Sequence, residues 1–92
     1  MISRNLPIIN ELGLHARAAT KLAALAGRYE SSIKTGVGHP LVDAKSIMLL
    51  LLLAASQGTE LIFEFDGSDE SEACETIAAL LADYFGEGQE IW

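Results

Sequence analysis

Residues 60–66 alternate in polarity: Leu61, Phe63 and Phe65 fall on one side, and Glu60, Glu64 and Asp66 on the other. Successive side chains of a strand point to opposite faces, so this segment describes a strand with one buried and one wet face. A sheet of that kind must cover its apolar face with other elements. Two segments supply a cover. Ala19, Leu22, Ala23 and Ala26 recur at i, i+3, i+4 and i+7, which predicts an amphipathic helix over residues 16–28. Ala73, Ile77, Leu80, Leu81 and Tyr84 form the inner stripe of a second long helix. Asp69, Glu70, Glu72 and Glu75 lie in its first turns, where the helix dipole favours acids, and Asp69 with Glu72 has the spacing of a capping box.

The remaining elements follow from local signals. Ile2, Arg4, Leu6 and Ile8 give a short alternating strand, broken by the turn-favouring run Asn10-Glu11-Leu12-Gly13. Gly27 stands where a left-handed helix cap is often needed. Residues 31–37 and 40–43 read as two short strands joined through Gly36, Gly38 and Pro40. Ser46 is a good N-cap for a helix over 47–56, closed by Gln57-Gly58. That helix is apolar nearly all the way round, so it is either buried on most faces or displays an apolar surface to a partner. The predicted order is β-α-β-β-α-β-α: an α+β, two-layer sandwich with the helices on one face of a four-stranded sheet. With 92 residues there is room for one core, which we place at 1–86, followed by a loose tail at 87–92.

Composition narrows the function. A single cysteine, Cys74, excludes an internal disulfide framework and a cysteine-rich zinc site. Cys74 itself reads as a small apolar residue. The longest apolar run covers 47–55, about half of the roughly 20 residues a membrane span needs. No signal-peptide pattern opens the chain. These features suit a soluble protein of a reducing compartment, most simply the cytoplasm. All six basic residues lie in 1–45 with three acids, a balance of +3, whereas 46–92 holds ten acids and no Lys or Arg. There is no dense basic stripe for nucleic acid. A modest positive patch on an acidic body suits docking to an acidic protein partner.

The segment Gly13-Leu14-His15-Ala16-Arg17 carries the chemistry. It places a histidine at the entry of a helix, after a glycine turn, with an arginine two residues on. The first backbone N–H groups of a helix lack internal partners, and with the dipole they make that end a natural anion site. The same field favours the uncharged imidazole, which is the nucleophilic form. A guanidinium beside it offers forked donors that match phosphate oxygens. These parts describe a histidine able to accept a phosphoryl group, hold it and pass it on. A histidine at a helix start also serves simply as a capping or surface residue, and spacing alone does not separate the two readings.

Leu12-Gly13-Leu14-His15-Ala16-Arg17, followed by Ala44-Lys45-Ser46-Ile47-Met48, resembles the HPr family of histidine-containing phosphocarriers of bacterial phosphotransferase systems. The resemblance runs from Ile8 to about Gly86. It implies an open-faced β-sandwich with antiparallel strands in spatial order 1-4-2-3. It also implies that His15 takes a phosphoryl group on Nδ1 from phospho-enzyme I and donates it to an enzyme IIA domain, with Arg17 steadying the group. Ser46 matches the family's regulatory serine, the target of an HPr kinase/phosphorylase in some bacteria. Such a carrier is a substrate of its partners rather than an enzyme, needs no cofactor or metal, and is expected to be a monomer.

Ala16, Thr20, Lys21, Lys45, Ile47, Met48 and Leu51 are the expected partner-binding residues, with Arg28 a further steering charge. Three departures stand out. Ala18 replaces a frequent proline, which a first helical turn tolerates but does not require. Leu49 stands where relatives often have glycine. Ala24 and Gly27 occupy positions that often carry basic docking residues. The alternative reading is a regulatory binding module controlled through Ser46 without phosphoryl flux. The motifs do not choose between the sugar-transport and nitrogen-regulatory branches, nor do they name the enzyme IIA acceptor. His39, beside Pro40 in the hairpin turn, reads as a surface residue. A His15–His39 zinc pair lacks further ligands at suitable spacing.

Overall fold

The computed structural model describes residues 1–86. In chain order these are β1 (Ile2–Pro7), α1 (Ala16–Ala26), β2 (Ser32–Gly36), β3 (Val42–Asp43), α2 (Ile47–Leu53), β4 (Glu60–Asp66) and α3 (Glu70–Ala82), then a 3-10 turn at Tyr84–Gly86. The strands form one sheet in the order β1-β4-β2-β3, with every neighbouring pair antiparallel. This is the open-faced sandwich expected from the sequence. The expected tail at 87–92 lies outside the described residues.

The strand read most clearly in the sequence is central. Phe63 of β4 pairs with Arg4 on β1 and with Thr35 on β2. Leu61, Phe63 and Phe65 are fully buried, and the two phenyl rings stack with centroids 5.8 Å apart. Ala19, Leu22, Ala23 and Ala26 of α1 are buried, as are Ala73, Ile77 and Leu81 of α3. Burial of each large apolar side chain contributes about 1.5–3 kcal/mol, so the layer between sheet and helices is the main source of stability. Ser3, Lys34, Glu64 and Asp43 form a polar row across the opposite face, where Lys34 lies between two acids in register. His39 is exposed, with its Nε2 4.0 Å from Glu64 Oε2.

Local expectations required correction in several places. Gly27 does cap α1, but in a right-handed conformation (φ −66°, ψ −13°), because Arg28 and Tyr29 continue the turn through bonds to the carbonyls of Leu25 and Ala26. The capping box of Asp69 and Glu72 does not form. Asp69 stands at the N-cap position of α3 but makes no side-chain cap bond. Its carboxylate instead accepts from the amides of Glu30 and Ser31 and from the Ser31 hydroxyl. Glu70, two positions before Glu72, reaches back to the Gly67 amide at 3.1 Å. The second hairpin strand is only two residues long, and α2 ends at Leu53, not at 56. Leu80 and Tyr84 are half-buried at the margin of the core, whereas Cys74 and Phe85 are fully inside it.

Candidate functional site

The local order before α1 positions the site. The Gly13 amide bonds back to the Asn10 carbonyl at 3.2 Å, and Leu14, which is buried, donates from its amide to the Ala55 carbonyl at 2.9 Å. Gly13 sits at φ +70°, and a Cβ there would lie 2.7 Å from the Ala55 oxygen and 2.9 Å from Ser56 Cα. Only glycine fits this position, both by conformation and by space. The loop is therefore pressed onto the segment that leaves α2.

His15 follows as the N-cap of α1, with extended backbone (φ −85°, ψ −175°). Its amide donates to the Gly13 carbonyl at 2.9 Å, and its carbonyl accepts from Ala19 at 2.8 Å. The ring Nδ1 accepts from the Arg17 backbone N–H at 3.3 Å. That contact places the Nδ1 lone pair toward the opening turn of the helix, where Ala16 and Arg17 present their amides. An imidazole thus takes the part usually played by Ser, Thr, Asp or Asn. His15 is half-buried, and Arg17 is exposed. Thr20, one turn on, is exposed and donates its hydroxyl to the Ala16 carbonyl at 2.7 Å.

Helix α2 packs against α1. Ser46 is its N-cap, with Oγ accepting from the Leu49 amide at 3.2 Å. Leu50 is fully buried and anchors the helix, whereas Met48 is 68% exposed and Leu52 75% exposed. Ile47, Leu49 and Leu51 are also exposed, as is Leu12 in the loop before His15. Of the two readings left open for this greasy segment, the structure supports the displayed apolar surface. Monomeric proteins rarely leave contiguous apolar patches uncovered without a binding role.

The two expected docking lysines are tied down. Lys21 Nζ donates to the Phe85 carbonyl at 2.9 Å, and Lys45 Nζ donates to the Tyr29 carbonyl at 2.8 Å. Each thereby braces a chain segment. Among the described residues, no three His, Cys, Asp or Glu side chains gather as a metal set, and no helix is long and apolar enough to cross a membrane. Sequence reasoning missed Ala55 and Asn10. Alanine advertises no bond to a loop, and Asn10 reads only as a turn-favouring residue, with nothing to mark it as buried.

A family model described as the phosphorylation site of the PTS HPr component matches residues 2–83. The open-faced sandwich and this match together define a phosphocarrier of the phosphotransferase system. The chain belongs to the HPr family. It is 49% identical over 89 residues to the phosphocarrier protein HPr of Cupriavidus necator, covering 97% of this chain and all of the relative. It is 38% identical to the phosphocarrier protein NPr of Shewanella violacea, covering 94% of each. The crystal structure of HPr-C-His from Thermoanaerobacter tengcongensis superposes with a TM-score of 0.91 at 35% identity, covering 97% of this chain and 100% of that one.

Proposed function

We propose that His15 is the phosphoryl acceptor, taking the group from phospho-enzyme I and donating it to an enzyme IIA domain in the cytoplasm. The observation that carries this reading is the direction of Nδ1. Its lone pair points at the first turn of α1, where it accepts from Arg17 N–H over a long 3.3 Å contact. In the transfer, an N–P bond forms at Nδ1 as the bond from phosphorus to the donor breaks. The oxygens of the new phosphohistidine can then accept from the opening amides at Ala16 and Arg17, replacing the ring as the cap. The Arg17 guanidinium offsets the developing charge. No protein-bound metal or cofactor enters this step, and turnover belongs to the partner enzymes.

Docking uses the exposed face of α2 together with Ala16, Thr20 and the charges of Lys21 and Lys45. Ile47, Met48 and Leu51 supply apolar contact, and the basic first half of the chain steers acidic partners. Ser46 is the regulatory position. Phosphate there would remain compatible with a helix N-terminus but would set about two negative charges beside the apolar docking face. An HPr kinase/phosphorylase is the matching modifying enzyme. The carrier acts as a monomer, with the described domain as its working unit.

The test is an in vitro relay with phosphoenolpyruvate, each candidate enzyme I and each candidate enzyme IIA. Acid-labile label passing through this chain to an enzyme IIA supports the carrier. Label confined to Ser46, with effector binding, supports the regulatory module.

A further inference from the structure

Asn10 is 1% exposed, a polar side chain in a loop that is otherwise at the surface on either side of Gly13 and Leu14. A buried amide is retained when its hydrogen bonds do specific work, because removing them leaves an expensive unsatisfied partner. Its Nδ2 donates to the Gly13 carbonyl at 2.9 Å. The same carbonyl accepts the backbone amide of His15, also at 2.9 Å. One oxygen therefore joins the buried side chain to the backbone of the reactive histidine. The Asn10 main chain closes the other side of this turn by accepting from Gly13 N–H. The bond from His15 to Gly13 spans only two residues, a tight three-residue turn.

We infer that Asn10 is a positioning residue for His15, fixing the ring's aim at the first turn of α1 through the Gly13 carbonyl. The inference rests on the phosphocarrier reading of His15 and adds a residue that never touches the phosphoryl group. Without the Nδ2 donor, the Gly13 carbonyl is free to tilt, and the His15 N–H that it holds tilts with it. The ring then loses its alignment over Arg17 N–H. Misplacement of a reacting atom by about 1 Å lowers transfer rates by up to a hundredfold. The docking face on α2 is untouched by this change, so partner affinity is preserved.

The experiment compares wild type, Asn10→Ala, Asn10→Asp and the remote core variant Ile77→Val. Asn10→Asp keeps the shape of the side chain and removes the donor. Two readouts are taken: steady-state phosphorylation by enzyme I, and the ring nitrogen NMR spectrum of His15 in the unphosphorylated protein. The expected result is that kcat with the Asn10 variants falls about tenfold or more, with KM for the carrier unchanged within twofold. The Nδ1 resonance should move toward that of a ring lacking an ordered donor, while Ile77→Val should change neither. A rise in KM alone would overturn the inference, as would a folded Asn10 variant with wild-type kcat and an unshifted Nδ1 resonance. Failure of both Asn10 variants to fold would also overturn it, since the residue would then serve stability rather than aim. If wild type itself takes no phosphoryl group from any enzyme I, the carrier reading fails, and the ring spectrum alone decides the role of Asn10.

Discussion

The Leu14 amide donates to the Ala55 carbonyl at 2.9 Å, which fastens the loop carrying His15 to the segment just past α2. The loop that carries His15 and the exit of α2 are thereby joined directly. The fastening has a visible correlate in the backbone. Ala54, the C-cap of α2, is in the left-handed region at φ 52°, a conformation usually left to glycine. Ala54 N–H bonds back to the Leu51 carbonyl at 3.1 Å and ends the helix early.

Gly13→Ala should break this fastening. The added Cβ would meet the Ala55 oxygen at 2.7 Å, and the φ of +70° is itself unfavourable to alanine. A loss of about 2 kcal/mol or more in denaturant unfolding is expected, together with slower phosphorylation by enzyme I. Wild-type stability in this variant would mean that the loop has another resting place.

Helix α2 should divide its leucines by role. Leu50→Ala, at a fully buried site, should cost about 2–5 kcal/mol through lost burial and a cavity. Leu52→Ser, at a site 75% exposed, should leave stability within about 0.5 kcal/mol. The same substitution should raise KM for enzyme I about tenfold, as expected for loss of an interface anchor. Equal KM values for Leu52→Ser and wild type would remove α2 from the docking face.

Ser46 separates capping from regulation. Ser46→Ala removes the oxygen that accepts the Leu49 amide and should cost about 1 kcal/mol. Ser46→Asp keeps a capping acceptor, so the fold should survive, while the added charge should slow phosphoryl transfer to His15. Unchanged transfer kinetics in Ser46→Asp would count against a regulatory role.

Much of this arrangement is legible in the sequence because it rests on periodicity. The alternation of Leu61, Phe63 and Phe65 marks the central strand, and the spacing of Ala19, Leu22, Ala23 and Ala26 marks the helix that covers it. His15 is visible because its neighbours form a motif. What stays hidden depends on partners far along the chain. Asp69 looks like a helix cap, yet its acceptors are taken by Glu30 and Ser31, 39 and 38 residues away. The exit of α2 is hidden for the same reason. Alanine ordinarily continues a helix, and only the loop packed on Ala55 explains why Ala54 does not. Lys21 and Lys45 read as solvent-facing charges because their bonds to Phe85 and Tyr29 are likewise non-local.

The bonds at Asp69 carry a pH dependence. The Ser31 hydroxyl, followed by the Glu30 amide, holds the Asp69 carboxyl below its ordinary value of 3.8. The folded state therefore favours the ionised form, so the stabilisation is present above the ordinary value and is lost as pH falls below it. Glu70 is shifted the same way, chiefly by the Gly67 amide. Asp69→Asn should lower the melting temperature at neutral pH and flatten its fall in acid. An acid limb as steep as wild type in that variant would assign the dependence to other carboxylates.

The most direct measurement is nitrogen and phosphorus NMR of the chain after incubation with phosphoenolpyruvate and its enzyme I. The expected result is a single phosphoramidate signal, coupled to Nδ1 of His15 and absent from His15→Ala. A phosphoryl group on Nε2, on His39 or on a hydroxyl, or label that survives His15→Ala, would contradict the account.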